Sequence, residues 1–298
     1  MSTRKKGIAA LLLLSLVWAS FGLPIRYLSG HFTYLQQIYL RTFVSALGAI
    51  LIFNKGLNFL KLFRMPKKEW AVLLFRVICV YGFAVIFYTQ AFTLTTFGEV
   101  SFLGAIPTTA VLGFILLREK VTLHKIALIL LSVIGILFIT VKNPAHFFQW
   151  GRGDELALIS DLFFSLSYIG RKWQSNFLNN KEISMFMVGF GALLIFALSL
   201  IRGEPLPSIE QFSIPTWAVI TAAGLLNVAS QFLVNYGFSY VEAALASNIV
   251  SLESFWAVIF GFIFYRELLS LRAFFGGLLI LASVVFLNKE EEQEKKKK

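Results

Sequence analysis

Along the chain, runs of about twenty apolar residues alternate with short connections that hold most of the Lys and Arg. A run of that length crosses roughly 30 Å of hydrocarbon as a helix. The pattern predicts ten spans, at about 8–28, 35–53, 69–92, 97–117, 123–141, 154–177, 183–201, 216–238, 242–265 and 271–288. The connections give them a direction. With the first residues inside, fourteen Lys and Arg fall in inner connections before the tail is counted. Only five, Lys142, Arg152, Arg202, Arg266 and Arg272, fall outside. That bias places both termini in the cytoplasm. The closing KEEEQEKKKK, 289–298, reads as a charged disordered tail.

Composition agrees with an all-α membrane protein: 57% of residues are hydrophobic, 14% are charged, and mean hydropathy is +0.75. The formal charge of +11 is scattered between apolar runs and joined by no nucleic-acid-binding motif, so it reads as topology and no nucleic-acid partner is expected. Cys79 is the only cysteine, which leaves no intramolecular disulfide and no Cys-based metal site. His31, His124 and His146 lack ligand spacing, and neither a metal nor a cofactor is expected. The opening MSTRKKGIAALLLLSLVWASFG has the basic-then-apolar order of a signal peptide, with Ala19 and Ser20 as small residues for cleavage. Because many spans follow, it reads as an uncleaved first helix.

Sliding the chain against itself by 148 residues sets GFILLREKVTL (113–123) on GFIFYRELLSL (261–271). A looser register pairs SLVWASFGLPIRYL (15–28) with DLFFSLSYIGRKWQ (161–174). Two halves of five spans follow, 1–145 and 146–288, and an odd span number sends equivalent segments through the membrane in opposite directions. Inverted repeats of this kind build many secondary transporters. Together with VWASFG (17–22) in the first span, YLRTFVSALGAI (39–50) in the second and two helix ends in Arg-Glu, the chain resembles the drug/metabolite transporter superfamily, of the EamA type. It departs from that pattern at Arg118, Arg266 and Ser254, where the family often carries Gly, Gly and Pro. The resemblance implies carriage of small organic metabolites, often amino acids, through a central cavity lined mainly by spans 1, 3, 4, 6, 8 and 9.

In the eighth span Asn227, Gln231 and Asn235 recur every four residues and share an arc of about 80° over about 12 Å. Primary amides avoid lipid, so this face turns either toward a hydrated cavity or toward neighbouring helices as hydrogen-bonding glue. The repeat-equivalent positions in the third span are Cys79, Phe83 and Phe87, an apolar wall against a polar one, which suits an amphipathic solute. Glu253, midway along the ninth span, is a candidate to bind a substrate ammonium or to carry a coupling proton; a fixed pair with an intramembrane Arg is the alternative. Asp161 invites the same reading. Arg41 could hold a substrate carboxylate, or pair structurally or snorkel to the outer interface. Arg26 and Arg76, near span ends, read as snorkelling, and Glu99 and Glu242 as complements to helix dipoles. Trp18, Tyr88, Tyr168 and Tyr236 are site candidates because each carries a polar donor, with interfacial anchoring as the other reading. Pro24 and Pro107 are candidate kinks.

The expected function is therefore secondary transport of a small organic metabolite, best an amino acid or related amine, by alternating access in a multi-pass plasma (inner) membrane protein. A membrane receptor or scaffold without transport is the alternative. No phosphate-binding Gly-rich loop, HExxH or GxSxG is present, so neither direct ATP drive nor an enzyme is expected. The partners expected are a small-molecule substrate and membrane lipid, with a proton as one candidate coupling ion; oligomeric state leaves no signal.

Overall fold

The computed structural model describes residues 2–95, 97–140, 151–265 and 271–296. Lys142, His146, Arg266, Glu267 and the boundary expected at 145/146 lie outside them. The described residues form fifteen α-helices and no strand. Local chemistry starts several of them. Ser2 caps α1 (Thr3–Ser20) through Lys5 N, and a reciprocal Thr33–Gln36 box starts α3 (Tyr34–Phe53), after the short α2 (Gly22–Ser29). Helices α4 (Leu60–Arg64), α5 (Lys67–Val77), a π-helical stretch Ile78–Ala84 and α6 (Val85–Leu94) follow, then α7 (Phe97–Gly104), α8 (Thr108–Leu116) and α9 (Leu123–Thr140). The second half holds α10 (Arg152–Trp173), α11 (Asn180–Ile201), α12 (Ile214–Tyr240), α13 (Ala243–Val250), α14 (Glu253–Tyr265) and α15 (Leu271–Lys296).

Six stretches are long and apolar enough to cross a membrane: Thr3–Ser29, Tyr34–Gly56, Lys67–Leu94, Glu99–Leu116, Asn180–Ile201 and Ile214–Tyr240. Three helical paths are interrupted. The first breaks at Phe21, where Pro24 offers no N–H to Ser20 and crowds its carbonyl. The fourth breaks at Pro107 between α7 and α8. A third break, at Ser251–Leu252 between α13 and α14, has no proline. Glu253 therefore opens a half-helix instead of lying midway along a continuous one, and its charge complements the free N–H groups there.

Large apolar side chains face outward, as at Leu47, Leu51, Ile115 and Ile263, while Arg41, Arg76, Gln37 and Asn235 are buried. That inversion suits a lipid surround, where polar groups find partners only inside the protein. Helix α9 packs along α15, and α3 along α11 and α12. The α9–α15 contact is backbone to backbone: a Cβ on Gly135 would meet the Gly276 carbonyl at 2.6 Å, and one on Gly276 would press on the Gly135 carbonyl. Gly276→Val should therefore cost about 2 kcal/mol and lower the melting temperature in detergent by roughly 5 °C. An unchanged melt would show that these helices do not touch there.

The disordered tail expected from 289 needs correction, because α15 continues as helix to Lys296. Its acids have partners far away in sequence. Glu291 and Glu292 pair with Arg4 at 3.1 and 3.3 Å, and Glu294 lies 2.8 Å from the buried Lys125. Glu290 accepts from Thr122 at 2.6 Å. These contacts hold the first residues of α1 and of α9 to the end of α15.

Candidate functional site

A cavity of about 110 Å³ opens at the centre of the helices. Its aromatic wall comes from α1, α6 and α10. Trp18 stacks on Tyr168 with centroids 5.7 Å apart, Tyr168 stacks on Phe164 at 6.2 Å, and Tyr88 meets Phe164 edge-on at 5.9 Å. Phe238 closes the stack behind Tyr168 at 4.7 Å. The Trp18 indole N–H donates to Ser230 Oγ of α12 at 3.3 Å, which fixes the ring.

Opposite lies a polar wall. Asn227 and Gln231 of α12 line it, and the Tyr81 hydroxyl of the π-helical stretch faces both amides without closing a bond of normal geometry. The Tyr81 hydroxyl, Thr89 Oγ1, Ser167 Oγ, the Tyr168 hydroxyl and Asp161 Oδ2 are buried polar atoms of cavity-lining residues and have no hydrogen-bond partner among the described residues. Such atoms are costly in a dry interior, so the wall is built to meet polar groups.

Three charged side chains line the cavity: Arg41, Asp161 and Glu253. Arg41 is 5% exposed and donates through Nε to the Gln37 carbonyl at 3.0 Å, so it neither snorkels nor forms a salt bridge among the described residues. Its charge acts on Tyr81 and Tyr88. Asp161 sits beside Thr108, the first residue of α8, and Glu253 lies against Gly104 at the end of α7. Both acids thus stand where half-helices begin, close enough for each charge to act on the other. No Arg pairs with Glu253 among the described residues, which removes the fixed ion pair as its explanation.

Of the residues singled out from sequence, Trp18, Arg41, Tyr88, Asp161, Tyr168, Asn227, Gln231 and Glu253 come together at this cavity. Three do not. Asn235 is fully buried one turn below, accepting from Arg76 at 2.7 Å and donating to Ser184 Oγ at 2.9 Å. Phe83 is 39% exposed and stacks on Phe163 at 4.5 Å, with Phe87 beside the same ring. Tyr88 and Thr89 of α6 line the cavity, whereas Phe87 of the same helix and Phe83 of the π-helical stretch do not. Tyr236 is also outside, stacked on Phe232.

Arg76 overturns its snorkelling expectation. It is 0% exposed and donates to the Ser167 carbonyl, Gln174 Oε1 and Asn235 Oδ1. Gly170 makes room for it, since a Cβ there would lie 2.8 Å from Arg76 Cγ. Arg171 adds a second cation, donating to the Asn235 carbonyl and to Asn180 Oδ1. This network ties α5, α10, α11 and α12 together beneath the cavity. Sequence reasoning also passed over Tyr81, Thr42, Thr89 and Ser167, and the second span, which supplies Arg41, as part of the lining. Hydroxyls in helices leave little signal because they can bond their own backbone, as Thr42 does to the Ile38 carbonyl at 2.7 Å.

A helical bundle with an apolar outside, interrupted helices and a charged central cavity is the layout of a multi-pass membrane protein that handles a solute. The chain belongs to the EamA-like transporter family, whose sequence pattern matches residues 5–141 and again 151–289. It is similar to the uncharacterized transporters YoaV and YcxC of Bacillus subtilis, 24% identical over 170 residues (56% of this chain, 58% of that one) and 25% over 189 residues (61% of each). A chloroplastic WAT1-related protein of Arabidopsis thaliana is 23% identical over 185 residues, 59% of this chain and 44% of that protein. The chain thus matches between 44% and 61% of the length of these relatives. A crystal structure at 14% identity superposes with a TM-score of 0.74, covering 94% of this chain and 96% of the other, and shows the same fold.

Proposed function

We propose that this protein is a secondary carrier of the plasma membrane that binds a small organic metabolite, an amino acid or related amine, in the central cavity and exposes it alternately to each side. The observation that carries this is the cavity itself: unpartnered hydroxyls, two amides and both signs of charge gathered in the middle of a bundle whose outer surface is apolar. Polar groups at that depth are expensive and mark a solute path. Ten spans in two inverted halves of five, 1–145 and 146–288, with both termini cytoplasmic, fit the double family match and the interrupted helix in each half. In this reading α9, α10, the α13–α14 pair and α15 complete the six longer stretches. The family is one of transporters, and the reading is transport and not catalysis.

Counterflow into proteoliposomes with labelled amino acids, amines, nucleosides and sugars tests it. We expect uptake of amino acids or amines by the wild type, reduced roughly tenfold in Gln231→Ala, which removes one polar contact at the wall. A correctly inserted wild type that moves none of these solutes would sink the carrier and favour a receptor or scaffold.

A further inference from the structure

We propose that the cavity is charged for a cargo of one anionic group and two positive charges, so that each passage moves one net positive charge; this rests on the carrier reading above. The only formally charged side chains on the cavity wall, among the described residues, are Arg41, Asp161 and Glu253. They are not paired with one another. Arg41 belongs to α3 and faces Tyr81 and Tyr88, whereas Asp161 and Glu253 stand together at the starts of α8 and α14. Tyr88, on the same cavity wall, is within reach of the charges of both Arg41 and Glu253. Tyr168 is within reach of the charges of Asp161, Glu253 and Arg76. Arg76 does not line the cavity, and each of its three nitrogens donates to a neutral acceptor of the network below.

A dipolar solute fits this layout in one sense only, with its carboxylate at Arg41 and its ammonium at the acids. That satisfies one acid and leaves the other. An uncompensated carboxylate in a low-dielectric cavity is costly, so a second positive charge completes the set. Two sources share that chemistry. The charge belongs to the solute, as in an amino acid with a cationic side chain, or it is a proton bound with a neutral amino acid.

The test records currents from wild-type proteoliposomes on a supported membrane after jumps of L-lysine or L-leucine, with labelled uptake measured in parallel at about pH 6 and about pH 8. Lysine should carry current equally at both values. Leucine should carry current at the lower pH and lose it, with its uptake, at the higher, because the proton concentration falls about a hundredfold between them. Uptake and current from lysine, with no uptake of leucine, place the second charge on the solute; uptake with current from both admits the proton. Asp161→Asn and Glu253→Gln should each make leucine uptake electroneutral and independent of pH, and should weaken lysine binding about thirtyfold. Uptake of either solute by the wild type without current would overturn the charge proposal while leaving the carrier intact. Absence of uptake of both would overturn it together with the amino-acid reading. The wild-type comparison depends on no variant folding.

Discussion

Arg76→Ala is expected to lower the melting temperature of the detergent-solubilised protein by roughly 10 °C, a loss of about 3–5 kcal/mol. The change removes three donated hydrogen bonds, to the Ser167 carbonyl, Gln174 Oε1 and Asn235 Oδ1, each worth about 1.5–3 kcal/mol when the donor is charged. It also strands two buried amides and opens a void where Gly170 had made room for the side chain. Against this stands the relief of no longer burying a cation that has only neutral acceptors, several kcal/mol by itself. The balance favours destabilisation because the acceptors stay behind without partners. Arg76→Lys should recover little, since one ammonium cannot span acceptors within α10, just past its end and on α12. Asn235→Asp should cost less than Arg76→Ala, because it gives Arg76 a carboxylate in place of an amide oxygen while losing only the bond donated to Ser184 Oγ. A melt of Arg76→Ala within a degree or two of wild type would show that the network contributes nothing and would return Arg76 to the membrane interface.

The same residues show how far a sequence can be read. Asn227, Gln231 and Asn235 are identical in kind and share one helical face, so periodicity alone treats them alike. What separates them is Arg76, on a different helix, reaching the third and leaving the first two to the cavity. Arg76 itself sits close enough to a span end that snorkelling accounts for it just as well, and only the packing of α10 at Gly170 shows that it points inward. Glu253 and Asp161 stood out because a lone acid in an apolar run is expensive wherever it points. That Glu253 opens a half-helix was hidden, because the break at Ser251–Leu252 has no proline to announce it, unlike the breaks near Pro24 and Pro107. The long helices were legible for the opposite reason: apolar runs of span length are local signals. The helical tail was not, since the partners of Glu290, Glu291 and Glu294 are Thr122, Arg4 and Lys125, and nothing local distinguishes a paired charge run from a solvated one.

Gly104→Leu should abolish transport, by about a hundredfold or more, while leaving the melting temperature near wild type. Gly104 ends α7 on the cavity wall, and a Cβ built there meets only Glu253 Oε1, at 3.4 Å, an ordinary contact. The Cβ therefore fits without forcing any backbone to move, and the rest of a leucine side chain is expected to project toward Glu253 and the cavity. Leucine is also the better helix former, which offsets small losses elsewhere. The result is a folded protein with an obstructed cavity of about 110 Å³. Gly104→Ala, adding only the Cβ, should retain most of the transport and serves as the control. This pair of variants separates position from charge. If Gly104→Leu blocks uptake of every solute the wild type carries, the cavity lies on the path whatever the roles of Arg41, Asp161 and Glu253. If it transports normally, solute passes elsewhere, and the gathered charges of the cavity hold the bundle together and do not recognise cargo.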